Sequence, residues 1–228
     1  MMKRKSDIKL IIIIIIFSII TFFTLWSAIN EKMLVHYFCE DGPAEWLQAI
    51  FLLLSFIVFS INFIRSLRKG ESPDLIALVI SLVSLFAFLE EISYGQRLFG
   101  IKSPYYFERH NVHREINIHN LLPLDSATEI ASFAIFLVWG IILPFILLIK
   151  KDWRKFADKK IKYIPSTTIA IFCLAGLLIE IACRHLYRQY WPMSNEILEL
   201  YLYAAIFAVG FNLTPILLNK GKETAQEE

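Results

Sequence analysis

Three acids lie in stretches that are otherwise apolar: Glu90 and Glu91 after Phe88-Leu89, and Glu180 between Ile179 and Ile181. A carboxylate in hydrocarbon costs several kcal/mol unless it is paired, metal-bound or protonated, so each is a candidate site residue. On a helix, Glu90, Tyr94 and Arg97 stand at i, i+4 and i+7, within about 60° of one another. Glu180, Arg184 and Tyr187 repeat the spacing with Arg and Tyr exchanged. Each stripe sets an acid deep and an arginine nearer the surface, and the two stripes can face each other. As fasteners they would be buried ion pairs. As a site, Glu90 would be general base, and Arg97 or Arg184 would steady an oxyanion or a lipid phosphate.

Histidines supply the second set of reactive groups. There are five, His36, His110, His113, His119 and His185, and three of them lie within ten residues of one segment. In that segment Asn111, His113, Glu115, Asn117 and His119 alternate with Val112, Arg114, Ile116 and Ile118. Period two predicts an extended segment with one polar face, its apolar side covering the rim of a bundle. Neutral imidazole and carboxylate suit Zn²⁺ or Fe²⁺, and a catalytic zinc needs three protein ligands plus water. His113, His119 and one acid, Glu91 or Glu180, are the expected metal ligands. The H-x5-H spacing is not a recognised local ligand pattern, and His36 and His110 read as background.

The elements that must position these groups are membrane helices. Of 228 residues 57% are hydrophobic and 19% charged, with mean hydropathy +0.55. That excludes a disordered chain, a disulfide scaffold and an ordinary soluble enzyme, in which about 25% of residues are charged. Net charge is +2, which does not suggest a nucleic-acid partner, and Cys39, Cys173 and Cys183 have no CxxC spacing. Six stretches approach the roughly 20 apolar residues a span needs: about 8–29, 44–64, 75–96, 127–149, 165–186 and 196–218. The chain is therefore one integral membrane domain over residues 1–228, all-α, with a long ordered outer loop between the third and fourth helices. No Walker-type glycine loop is present, so ATP-driven work by this chain alone is not expected.

Helix starts carry local signals. Ser72-Pro73-Asp74 offers an N-cap, a proline at the first helical position and an acid in the first turn. Ser126 and Glu129 fit a capping box, Gly42-Pro43 and Ser194 mark two more starts, and Pro144 should bend the fourth span. Ser103-Pro104 opens a short helix through Tyr105, Tyr106 and Phe107. Residues 152–164 alternate bases and apolar residues, which suits a positive loop or an interfacial helix. The first span is too long for a signal-peptide core and reads as an uncleaved anchor. With the N-terminus inside, sixteen basic residues fall on cytoplasmic segments and seven outside, which sets both termini in the cytoplasm of a bacterial inner membrane.

The stretch Glu90-Glu-Ile-Ser-Tyr-Gly-Gln-Arg97-Leu-Phe-Gly100 followed by His119-Asn120 resembles a group of bacterial multi-pass membrane proteins of uncertain function. A looser likeness is to the intramembrane CAAX-type proteases, which carry a Glu-Glu pair, an Arg and separate His and His/Asn elements. Here five residues separate Glu91 from Arg97, where that family has three, and the histidines lie on a loop. The chain is also similar to the alkaline ceramidase and progestin-receptor superfamily, where membrane histidines hold zinc, but lacks its HxxxH helix element and seventh span. These resemblances imply a membrane hydrolase.

The leading expectation is metal-assisted hydrolysis of a lipid or membrane-peptide bond at the outer face, in a cavity between spans three and five. The alternative is a binding or transport protein that uses buried Glu/Arg pairs on an anionic lipid or small anion. A scaffold would need no convergence of these residues. Membrane lipid is the expected partner in either of the first two readings.

Overall fold

The computed structural model describes residues 2–39, 42–69, 72–121, 125–150, 152–153, 162–187 and 191–214. Its long elements are α1 (Met2–Ala28), α3 (Pro43–Arg68), α4 (Leu75–Glu91), α7 (Asp125–Ile135) continuing through a π-helical stretch into α8 (Leu143–Ile149), α9 (Thr167–Leu186) and α10 (Trp191–Leu213). Short helices α2 (Glu31–Phe38), α5 (Gln96–Phe99) and α6 (Tyr105–His110) lie between them. Five stretches are long and apolar enough to cross a membrane: Asp7–Ala28, Pro43–Arg68, Ala127–Ile149, Thr167–Leu186 and Asn195–Leu213. The chain is an all-α polytopic membrane protein. The expected third span is shorter than the sequence suggests, because α4 stops after 17 residues.

Several boundaries follow from local chemistry. Gly42 caps α3, with Pro43 at its first position. Before α4 the cap is Asp74, not Ser72; its carboxylate accepts from the Ala77 amide at 3.1 Å. A carboxylate satisfies that otherwise unpaired N–H and the positive helix end together. Pro104 precedes α6, as its position in the sequence suggested. Pro144 perturbs the fourth span as expected, and the form is a π-helical run at Phe136–Ile142. Proline has no N–H for the carbonyl one turn back, and a wider turn accommodates the missing bond. The expected caps at Ser126 and Ser194, and most of residues 152–164, lie outside the described side chains.

Packing centres on α3 and α10. Helix α3 lies between α4 and α10, and α10 also packs on α9, while α1 touches α9 and α10. Among the described residues α4 and α9 share no extensive contact. The expected cavity between spans three and five is thus not formed, because α3 and α10 stand between the two acid-bearing helices. Tyr201, Phe59, Phe136, Ile13 and Leu52 fill the interior. Phe22, Phe23, Val79, Leu82, Val83 and Ile130 are each more than half exposed, apart from the helix contacts, as a lipid-facing surface requires. At the α9–α10 crossing, a Cβ on Gly176 would lie 2.5 Å from the Tyr201 ring. That ring is stacked on Phe172 at 4.3 Å and cannot retreat. Gly176→Ala is therefore expected to lower stability by about 1–3 kcal/mol, measured as thermal unfolding in detergent. An unchanged midpoint would mean that the helices separate freely.

Helix ends sort into two rims. On one, the Lys9 ammonium donates to the carbonyls of Phe211 and Asn212, joining the start of α1 to the end of α10. On the same rim Lys162 Nζ and the Tyr163 hydroxyl donate to Asp74 Oδ2 at 2.8 and 2.7 Å. Burial pushes the Asp74 carboxyl up, but hydrogen bonds from Lys162, Tyr163 and the Ala77 amide outweigh it and hold the carboxyl below its usual range. Tyr163 is pushed up by its burial and by the same carboxylate. A lowered carboxyl contributes stability above its unfolded pKa of about 4 and loses it as pH falls through the folded value. A raised phenol contributes below its unfolded value of about 10 and loses that contribution as pH rises. Asp74→Asn should therefore lower the unfolding midpoint near neutral pH and have little effect near about pH 3. An equal effect at both pH values would show that the carboxylate charge is not what holds this rim.

Candidate functional site

The opposite rim carries the residues singled out by their chemistry. Helix α4 ends because Ser93, Tyr94 and Gly95 take φ values of +46°, +52° and +82°. Glycine is at ease there; serine and tyrosine are not, and such geometry persists only where surrounding contacts over-determine it. Those contacts come from the long loop. Ser93 Oγ donates to Glu115 Oε2 at 2.6 Å and accepts from Asn117 Nδ2 at 3.3 Å. Gln96 Oε1 accepts from the Ile116 amide at 2.7 Å, and Gln96 Nε2 donates to Ser103 Oγ at 2.7 Å.

This turn breaks the expected Glu90–Tyr94–Arg97 stripe. The three do not share a continuous helix: Arg97 belongs to α5, beyond the left-handed turn, and its side chain lies outside the described residues. Tyr94 is 41% exposed. The expected extended strand is likewise replaced. Asn111 and Leu121 pair as an isolated antiparallel bridge, the Val112 amide donates to Asn120 O, and the chain between them turns back on itself with Arg114 at φ +61°.

Asparagine side chains explain why. Asn111 Oδ1 accepts from the His113 and Glu115 amides, and its Nδ2 donates to Asn117 O and Oδ1. Side-chain amides that satisfy nearby backbone groups favour turns over strands. The polar residues Asn111, Asn117 and Asn120 are the buried ones, while Val112 and Ile118, expected to cover the bundle, are exposed.

Glu90 holds the loop to the bundle. It is 4% exposed, and its Oε2 accepts from the amides of Ile118 at 2.6 Å and His119 at 2.9 Å. The same oxygen lies 3.3 Å from His119 Nδ1. With Nδ1 turned to a carboxylate, Nε2 is the nitrogen left to do chemistry. The His119 side chain is about a third exposed, which leaves it accessible from the rim. His119 was expected near one of the helix acids, and Glu90 is the acid it meets.

The other expected ligands lie elsewhere. His113 is exposed on the loop. Glu91 turns towards α3 and α10, near Glu45, Glu196 and Glu199, with a hydrogen bond to the Tyr203 hydroxyl. Glu180, 3% exposed, pairs with Arg184 one helical turn on. Arg184 also donates to Asn195 Oδ1 at 2.7 Å, and Asn195 Nδ2 donates to Glu129 Oε1 at 2.8 Å. His113, His119, Glu91 and Glu180 are thus not gathered, and among the described residues no three His, Cys, Asp or Glu side chains converge on one point.

The carboxylates of Glu45, Glu129, Glu196 and Glu199 and the amide of Gln48 were not singled out in the sequence. Acids near a helix start look ordinary, since the helix dipole favours them there. The Glu196/Glu199 spacing, i and i+3 inside an apolar span, is the signal that was available. No family model, curated protein or solved structure matches the chain, so the resemblances of the loop motif rest on its residues alone.

Proposed function

We propose that the protein is a hydrolase of the outer membrane face, acting on an ester or amide bond of a lipid or a membrane-embedded peptide, with His119 as its base. One observation carries this reading: a buried carboxylate holds Nδ1 of an accessible imidazole on an ordered loop. Such a carboxylate fixes the tautomer and stabilises the imidazolium that forms when Nε2 takes a proton from water or a hydroxyl. Glu90, expected as the base itself, is on this reading a positioning residue. Arg97, next to the turn, is assigned to the developing oxyanion or a lipid phosphate. Arg184 is not, since Glu180 and Asn195 already engage it.

Zinc or iron would enter at His119 Nε2, with Glu90 as the outer carboxylate that orients a metal-bound imidazole. A catalytic zinc needs two further protein ligands, and the described residues do not bring them together. Direct proton transfer is therefore the better-supported route. The substrate side is assigned to the exterior from the basic-residue bias. A reporter after Lys222, a residue outside the described ones, should read cytoplasmic, and one near Lys102 extracytoplasmic. An exterior C-terminus would overturn this orientation and with it the assignment of the site to the outer face.

The test is hydrolysis of phospholipid and lipopeptide substrates by purified protein, with and without chelator. His119→Gln should lose about 10²–10⁴-fold in rate. Glu90→Gln should lose less, with the pH–rate profile displaced. Full activity in His119→Gln, or no turnover of either class by the wild type, would sink the proposal. Loss of the wild-type rate on chelation, restored by zinc, would replace proton transfer by the metal route.

A further inference from the structure

A second polar group lies where α3, α4 and α10 meet, apart from His119 and independent of the reading above. The charged groups around Glu91 are Glu199, Glu196 and Glu45. Those around Glu199 are Glu196, Glu129 and Glu45. Glu45, Trp46 and Ala49 of α3 line one crevice with Glu91 and Ile92. Donors in this cluster are few. The Tyr203 hydroxyl serves Glu91, and Gln48 Nε2 serves the carboxylate and carbonyl of Glu196. Gln48 is fully buried, and its Oε1 has no hydrogen-bond partner. A buried amide oxygen left unpaired costs the full desolvation of that group, so a native site of this kind calls for a missing donor. The cluster therefore holds an excess of acceptors and negative charge, with an orphan acceptor within it.

We propose that this cluster is a binding site for a primary ammonium group, taken from an aminophospholipid headgroup or a small free amine. The chemistry selects that class over a bare ion. A divalent cation needs several oxygens converging at about 2.0–2.6 Å, and no three acids among the described residues come together so closely. An alkylammonium reaches its acceptors at ordinary hydrogen-bond length and directs three N–H donors at separate oxygens. Its carbon side needs an apolar or aromatic wall, which the half-exposed Trp46 ring provides in the same crevice as Glu45 and Glu91. A quaternary ammonium has the charge without the N–H donors, and so should bind more weakly.

Full-length protein in nanodiscs of phosphatidylcholine and phosphatidylglycerol would be titrated with ethanolammonium, tetramethylammonium, sodium and calcium chlorides at constant ionic strength. The readouts are unfolding midpoint and tryptophan fluorescence. Ethanolammonium is expected to bind saturably and at least about tenfold more tightly than tetramethylammonium. Glu91→Gln, Glu199→Gln and Gln48→Met should each weaken it by about tenfold. In parallel, native mass spectrometry after adding phosphatidylethanolamine would show that lipid retained by the wild type and lost by Glu199→Gln. Binding of the free amine alone assigns a soluble ligand, and retention of the lipid alone assigns a headgroup; either supports the site. Equal binding of sodium or tetramethylammonium, preference for calcium, or an ethanolammonium affinity untouched by all three substitutions overturns it. Should one variant fail to fold, the others carry the test, since replacing a carboxylate crowded by like charges is expected to raise the unfolding midpoint. A lowered midpoint in both Glu→Gln variants without any amine binding by the wild type would mark the acids as structural and end the proposal.

Discussion

Glu90→Ala is expected to destabilise the protein by about 3 kcal/mol and to free residues 97–121 from the bundle. Two backbone amides, those of Ile118 and His119, would lose their acceptor, at about 1–3 kcal/mol each where water cannot replace it. Part of the loss is recovered if the loop lifts into solvent, which is why the sum is not the full amount. Limited proteolysis should then cut the loop of the variant and spare that of the wild type. Glu90→Gln keeps an oxygen for the two amides and should retain a protected loop while disturbing His119. A protected loop in Glu90→Ala would mean that Ser93, Gln96 and Asn117 suffice to hold it.

Arg184→Leu is expected to cost about 3–5 kcal/mol, because it leaves the buried Glu180 carboxylate without its cation. The double change Glu180→Leu with Arg184→Leu should return most of that stability, since an apolar pair of similar volume avoids both desolvation penalties. Asn195 makes the comparison sharper. It links Arg184 to Glu129, so Asn195→Ala should cost only about 1 kcal/mol, the worth of a hydrogen bond and not of a charge. Unfolding in detergent at matched pH measures all three. A double variant as unstable as Arg184→Leu would show that the pair has a use beyond mutual neutralisation.

The membrane architecture was legible because spans are long and the hydrophobic signal accumulates over about twenty residues. Gly42-Pro43 marked a helix start for the same kind of reason: proline fits the first turn and little else. The end of α4 was not legible. Gly95 alone among the three left-handed residues announces the turn; Ser93 and Tyr94 adopt it only because Glu115, Asn117 and Glu90 lie opposite, a tertiary effect. Alternation in residues 111–119 was read through the wrong physics. The same spacing that places side chains on two faces of a strand also sets asparagines two and four residues from the amides they cap. His119 beside a buried acid was recoverable, because a loop held between two helices has few places to put an imidazole. The acid cluster at Glu91 and Glu199 was not, since it is assembled from three helices whose neighbours no linear pattern specifies.

Phe136–Ile142 carries a consequence for how this chain tolerates length changes. In a π-helical run each carbonyl reaches five residues ahead instead of four, so the segment holds more residues than an α-helix of equal rise. It behaves as an insertion already absorbed. Losing one residue from an ordinary span rotates everything beyond it by about 100° and turns packed faces to lipid. Losing one here can be met by the run relaxing to α-helix, with Glu129 kept opposite Asn195 above it and Leu147 kept in the interior below. The fourth helix thus contains slack in its register, at a place where its neighbours have none.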